Sequence, residues 1–213
     1  MVSASPELLY RLEAGRVETR PIAGTYPRPA ETSKDVQTRQ SLVRDLKERA
    51  EHIMLVDLER NDLGRVCLPS TVVVAESLIQ EVYSHVIHLV SDVHGRLSPG
   101  RTWRDLHEAV FPGGTITGCP KLRASERIHK LEPHARGPYT GSLGWIGFSG
   151  DATMNILIRT IFLDKNRLSF PVGAGIVADS NPAREYEETL HKAKALLEAL
   201  QMPLPAPSRQ RRS

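Results

Sequence analysis

Two thiols in 213 residues, Cys67 and Cys119, are too few and too far apart for a disulfide framework. Their scarcity fits a reducing compartment. Neither stands in a recognisable nucleophile-and-base arrangement, so the chain is no glutaminase. It has no apolar run long enough to span a bilayer and no evident secretory leader. A cytoplasmic location with no membrane partner is therefore expected. Net charge is only +3, and the basic residues are not gathered on a motif, which argues against nucleic acid. Several of them sit in Arg209-Gln-Arg-Arg212, behind Pro203-Leu-Pro-Ala-Pro-Ser208. Residues 202–213 accordingly read as a disordered basic tail. No repeat recurs at solenoid periods. Residues 1–201 suffice for one substantial domain of mixed helices and strands, or for a piece of a larger one.

What the chain does have is acid at a fixed spacing. Ser180-Asn181-Pro182 predicts a helix start, a capping residue followed by proline at the first helical position. On that helix Glu185 and Glu188 project from one face, one turn apart, and Lys192 continues the face. A second helical pattern from Thr32 to about Asn61 carries Glu48 and Glu51 at the same spacing. Each pair alone reads as a charged, solvated helix face. Two pairs that converge would form a four-carboxylate cradle, whose oxygen-only donors suit a hard cation such as Mg2+. His52, beside Glu51, reads as a packed or surface histidine.

Along the chain, Leu8–Leu12 and Arg16–Arg20 flank Glu13-Ala-Gly15 and predict a hairpin. Pro21-Ile-Ala-Gly-Thr25 reads as a turn-rich connector. Short strands are expected at Val66–Leu68 and Thr71–Ala75. His85-Val-Ile-His-Leu-Val-Ser91 alternates, so that His88 and Val86 share a face opposite His85. Thr102–Val110 predicts a short helix. Phe111-Pro-Gly-Gly-Thr-Ile-Thr-Gly-Cys-Pro-Lys121 is a glycine-rich loop running into a helix over Lys121–Leu131, a geometry that binds carboxylate or phosphate. Its glycine spacing is not that of a Walker loop. Three apolar runs, Gly141–Phe148, Met154–Leu163 and Leu168–Val177, predict an antiparallel meander. Arg159 falls inside the middle run, as a carboxylate clamp or as a paired structural arginine.

Several of these stretches, in this order, resemble the chorismate-binding enzymes. They are Pro21–Thr25, Lys47–Asp62, Phe111–Lys121, Gly141-Ser-Leu-Gly144, Gly173–Ser180 and Glu185–Lys192. The family comprises the large subunits of anthranilate synthase and aminodeoxychorismate synthase, with isochorismate and salicylate synthases as cousins. The resemblance implies an α+β fold of layered antiparallel β-sheets with outer helices, and Mg2+-dependent chemistry on chorismate. It implies that Glu51 and Glu188 ligate Mg2+ and that Glu48 and Glu185 hold its waters. Glu7 would be the general acid for the leaving hydroxyl. Arg159, Tyr139 and the backbone of Gly173, Ala174 and Gly175, with Lys192 nearby, would hold the enolpyruvyl carboxylate. Thr115 and His88 would contact the ring region, and Gly24 and Thr25 the attacking nucleophile. Ammonia would come from a separate glutaminase subunit.

Within the family, Phe-Pro-Gly-Gly-Thr-Ile-Thr-Gly, Tyr-Thr-Gly-Ser-Leu-Gly-Trp and Met154–Thr160 look like aminodeoxychorismate synthase, an enzyme of folate and 4-aminobenzoate biosynthesis. Anthranilate synthases, which serve tryptophan biosynthesis, read closer to Pro-Ala-Gly-Thr and Gly-Gly-Ala. Ala23 points the other way: it stands where many aminodeoxychorismate synthases carry a nucleophilic lysine, and alanine has no nucleophile to offer. Family catalytic chains are about twice this length, so a fragment, a shortened product or a non-catalytic remnant is also an expectation. Lost strands would leave sheet edges and apolar surface uncovered, with weak stability or association.

Overall fold

A computed structural model describes residues 1–203 except 30, 84, 85 and 179, and leaves out the side chains of Thr25, Pro27 and Thr32. His85 and most of the expected tail, 204–213, lie outside the described residues. Along the chain run β1 (Val2–Ser3), β2 (Leu8–Glu13), β3 (Arg16–Thr19), β4 (Ile22–Pro27), α1 (Thr32–Arg44), α2 (Leu46–Gly64), β5 (Val73–Val82) and β6 (Val86–Arg96). Then follow α3 (Trp103–Val110), α4 (Gly114–Thr117), α5 (Lys121–Leu131), β7 (Ser142–Ile146), β8 (Ala152–Ile156), β9 (Thr160–Asp164), β10 (Arg167–Ser169) and α6 (Pro182–Ala199). The architecture is α+β with antiparallel sheets, and it divides into two units.

The larger unit, residues 7–157, holds a seven-stranded antiparallel sheet. Its hairpin β2–β3 turns at Ala14 and Gly15, both at positive φ (47° and 79°), which matches the right-handed twist of the strands. Strand β6 is the hub and pairs with β3, β4 and β5. From Ile87 to Ser91 every residue of β6 is buried, because helices cover the face that alternation would otherwise leave to water. Leu42, Ile87 and Leu89 form a buried cluster under Tyr26, Leu78 and Val82. Each such aliphatic side chain stabilises by roughly 1.5–3 kcal/mol on burial.

Three expectations for this unit are corrected. The segment Pro21–Thr25 is no connector: Ile22–Pro27 is a strand, with a register shift between Ile22 and Thr25 at its β6 pairing. The long helical pattern breaks at Asp45, whose carboxylate accepts from the Lys47 and Glu48 N–H groups (2.9 and 3.1 Å) and from the Tyr26 hydroxyl (2.8 Å). That cap starts α2 afresh. The strands expected at Val66–Leu68 and Thr71–Ala75 are replaced by β5, from Val73 to Val82. Cys67 makes only an isolated bridge to Leu97.

The smaller unit, residues 1–6 and from 158 on, has a three-stranded sheet in the order β1-β9-β10. Ser3 Oγ and Thr160 Oγ1 lie 2.8 Å apart across it. Helix α6 starts as its sequence predicts: the Asn181 side chain accepts from the Ala183 and Arg184 N–H groups, and Pro182 takes the first turn. The run Met154–Leu163 is not one strand. It breaks after Ile156, and Arg159 sits at φ 50° between β8 and β9, outside any strand interior. The meander is likewise two hairpins in separate sheets, β7–β8 and β9–β10. Of the run Leu168–Val177, only Leu168 and Ser169 are strand.

Candidate active site

In the larger unit, the register shift in β4 puts Gly24 at φ 86° against α2. A Cβ there would lie 3.2 Å from Glu48 Oε2, 3.3 Å from Leu89 and 3.4 Å from Leu42. Glycine thus lets the Glu48 carboxylate approach the β4 backbone. Thr25 is in register with His88 on β6, which brings both to one point of the sheet; the Thr25 side chain is outside the described residues. His88 is buried, and its ring meets Tyr83 edge-on with centroids 5.7 Å apart. Glu51, half-buried, follows Glu48 one turn along α2.

His52 is wholly buried behind this point. Its Nδ1 lies 3.3 Å from the Ala23 carbonyl, which can only accept, so Nδ1 carries the hydrogen. Its Nε2 then accepts from the Ser91 hydroxyl at 2.7 Å. Burial lowers the His52 pKa, the Ala23 hydrogen bond opposing that shift, and the ring stays neutral. The sequence left His52 between packed and exposed; it is packed, and it ties Ala23, and so Gly24 and Thr25, to the helix that carries Glu48 and Glu51.

Glu7, also buried, sits at the mouth of β2, and its carbonyl accepts from the Ile156 N–H at 3.1 Å. A set of residues that the sequence did not single out gathers on this side. Glu59 is half-buried, with its Oε2 shielded from solvent and without a hydrogen-bond partner among the described residues. Its pKa is pushed up to about 8, first by burial and further by the charges of Glu7 and Asp62, against a hydrogen bond from Thr19 and the charge of Lys121. Asp62 is buried and paired with Lys121 Nζ at 2.5 Å, and Lys121 also donates to the Val110 carbonyl at 2.6 Å. The signal for this cluster was present: Glu59 and Asp62 stand one helical turn apart inside the stretch Lys47–Asp62.

The glycine-rich loop folds into the short turn α4. A Cβ on Gly113 would lie 2.9 Å from Ile156 Cδ1, and one on Gly114 would lie 2.3 Å from Leu58 Cδ2. Thr115 Oγ1 is buried there without a hydrogen-bond partner among the described residues. Tyr139 is half-buried, with the Arg136 guanidinium 5.9 Å from its ring centre.

In the smaller unit, Lys192 Nζ pairs with Glu188 Oε1 at 2.5 Å and donates to the Gly173 carbonyl at 3.1 Å. Glu185 is buried and lines a cavity of about 350 Å3 with Ala174, Val177, Ser180, Tyr186 and Thr189. Gly173, Ala174, Glu185, Glu188 and Lys192 are thus brought together, while Gly175 is exposed beside them. Arg159 is half-buried, and its carbonyl accepts from the Ala4 N–H. Each unit by itself supplies one carboxylate pair. Among the described residues no group of three or more His, Cys, Asp or Glu gathers closely enough to hold a metal ion. Nor, among them, is any helix long and apolar enough to cross a membrane.

A family model described as chorismate binding enzyme matches residues 1–198. The chain belongs to the chorismate-binding enzyme family. Within this family it is 56% identical over 201 residues to an anthranilate synthase component I-like protein of a Synechocystis species, covering 94% of this chain and 41% of that one. It is 50% identical over 202 residues to aminodeoxychorismate synthase component 1 of Bacillus subtilis, covering 95% and 43%. The crystal structure of anthranilate synthase component I from Streptococcus pneumoniae superposes with a TM-score of 0.83 at 43% identity, covering 91% and 42%. The chain spans less than half the length of these relatives. Relatives named for anthranilate synthase and for aminodeoxychorismate synthase are thus similar to it at comparable identity, 56% and 50%.

Proposed function

We propose that the chain carries the chorismate-aminating site of an aminodeoxychorismate synthase component I: ammonia replaces the C4 hydroxyl of chorismate and water leaves. The observation that supports this member over its relatives is the packing of Gly113. A Cβ there would lie 2.9 Å from Ile156 Cδ1, so Pro-Gly-Gly-Thr fits as it stands, whereas Pro-Ala-Gly-Thr would need the tip of that side chain to move.

Glu7, buried, gives its proton to the departing hydroxyl, which leaves as water. Gly24 and Thr25 flank the incoming ammonia, and His52 holds their strand. Thr115 and His88 face the ring. Arg159, Tyr139, the Gly173–Gly175 backbone and Lys192 receive the enolpyruvyl carboxylate. Glu48, Glu51, Glu185 and Glu188 offer oxygen donors only, which fits Mg2+. Such an ion, when bound, neutralises the ring carboxylate and the charge that develops as the hydroxyl leaves. Glu188 would exchange its ion pair with Lys192 for that role. Ammonia comes from a separate glutaminase.

A second reading, anthranilate synthase, is favoured by one residue. Ala23 is buried and offers no nucleophile, so amination here is direct in either reading. The test is incubation with chorismate, Mg2+ and an ammonium salt, followed by addition of a lyase that releases 4-aminobenzoate. Formation of 4-aminobenzoate supports the proposal. Anthranilate fluorescence without 4-aminobenzoate transfers it to the second reading, and no Mg2+-dependent product at all identifies a non-catalytic remnant.

A further inference from the structure

One side chain closes the glycine-rich loop between α3 and α5. Lys121, the first residue of α5, reaches back across the loop and donates to the carbonyl of Val110, the last residue of α3, at 2.6 Å. The two residues are eleven positions apart, and Phe111 to Pro120 between them is the loop. The same ammonium pairs with Asp62 Oδ2 at 2.5 Å. Val110 and Asp62 are both buried. A buried carbonyl and a buried carboxylate each need a donor, and one ammonium serves both.

Asp62 stands on α2 four residues after Leu58, so the two share a face. Leu58 is the side chain against which Gly114 packs, since a Cβ on Gly114 would overlap Leu58 Cδ2. One face of α2 thus meets the loop twice, through an apolar contact in its middle and an ion pair at its end. The same helix carries Glu48 and Glu51. Inside the loop the Ile116 and Thr117 N–H groups donate to the Gly113 carbonyl at 3.1 and 3.2 Å, and the Gly118 N–H to that of Gly114 at 2.8 Å. Such short-range bonds shape the turn without placing it on the protein. Gly113, Gly114 and Gly118 add backbone freedom, so the placement comes from outside the loop. At its entry Phe111 stacks on His107, with ring centroids 5.0 Å apart. At its exit Lys121 is the fastener.

We propose that Lys121 is a positioning residue of the chorismate site, which holds the glycine-rich loop closed and seated on α2 so that Thr115 meets the substrate ring. This rests on the role given to Thr115 above. Thr115 Oγ1 is shielded from solvent and has no hydrogen-bond partner among the described residues, so the position of the loop decides what this hydroxyl meets. Lys121 touches no reacting atom and acts through the loop alone. A contact made equally to bound substrate and to the transition state shows in KM and not in kcat.

The test uses the full chain with Asp62→Leu and Lys121→Met made together. Lys121→Met alone strands the Asp62 charge, whereas replacing both partners by apolar side chains of similar size is often close to neutral. The Val110 carbonyl still loses its donor. The melting temperature should therefore stay near that of the parent while the loop loosens. Amide exchange at Ile116, Thr117 and Gly118 should quicken about tenfold, with no change in the middle of α2 and α5. With Mg2+ and an ammonium salt, KM for chorismate should rise about tenfold and kcat should stay within about twofold.

A merely structural pair leaves loop exchange and KM at parental values once stability is restored, and that result overturns the proposal. So does a fall in kcat at unchanged KM. The parent gives a check that needs no variant: amides of Ile116, Thr117 and Gly118 that already exchange like those of an open peptide overturn the closure itself. Slow loop exchange in a parent that neither binds nor aminates chorismate leaves the closure standing and refutes the chorismate reading on which its use depends.

Discussion

Lys121 Nζ lies 2.5 Å from Asp62 Oδ2, with side chains only 16% and 6% exposed, so that the first turn of α5 is clamped to the last turns of α2. Breaking a buried pair by removing one partner strands the other charge. Lys121→Met is expected to lower unfolding stability by about 3–5 kcal/mol at pH 8 in a urea titration. Burial already raises the Asp62 pKa, and Lys121 opposes it. Without Lys121 the folded-state value rises further. The folded variant then takes up a proton as pH falls through that value, and the deficit should shrink toward pH 5. A deficit that grew in acid would contradict the assignment.

His52 joins Ala23 on β4 to Ser91 on β6 through both ring nitrogens. His52→Ala removes a fully buried ring and leaves the Ala23 carbonyl without its donor. A loss of about 2–4 kcal/mol is expected by chemical denaturation. Amide exchange should quicken at the β4–β6 pairing, whereas exchange in α5 should be little changed.

Glu59 also makes a stability prediction. Its folded pKa, about 8, lies above the ordinary carboxylate value. Between the two, the folded state holds a proton that the unfolded chain has released. Stability from this group is therefore full in acid and declines as pH rises through 8. Glu59→Gln should flatten that decline and be more stable than the parent above pH 8, as read by melting temperature against pH.

The two thiols should separate cleanly. Cys67 is buried, and desolvation pushes its pKa up to about 11, while Cys119 is exposed. Only the thiolate reacts. At pH 8 a disulfide reagent should therefore label one thiol of the native chain quickly and the second only after unfolding.

Glycines on helix and strand should respond in opposite directions. A Cβ on Gly144 would stand 1.8 Å from the Thr153 carbonyl oxygen, a backbone atom that the β7–β8 pairing holds in place. Gly144→Ala should cost at least about 2 kcal/mol. Gly64, at the end of α2, has nothing within 4 Å of its missing Cβ. Gly64→Ala should stabilise by about 0.4–1 kcal/mol. Thermal melts of the two variants give the comparison.

The outer strand β7 leaves Trp145 56% exposed, with Leu143, Ile146 and Phe148 open beside it. Which of these side chains are exposed was not legible in the sequence, since alternation in Gly141–Phe148 marks two faces without saying which one is covered.

What the sequence determined by itself was local. The Ala14-Gly15 turn, the Thr102–Asp105 capping box of α3, the Asn181 cap and the one-turn spacing of each glutamate pair depend on residues within a few positions of each other. Its motif order also placed the chain in its family. Only the tertiary structure decided that Met154–Leu163 breaks between Ile156 and Thr160, that Pro21–Thr25 runs into a strand paired to β6, that His52 bridges two strands, and that the Glu59 Oε2 is shielded from water. These depend on which distant segments shut water out. A carboxylate and a carboxylic acid look the same in a sequence, and burial makes them different.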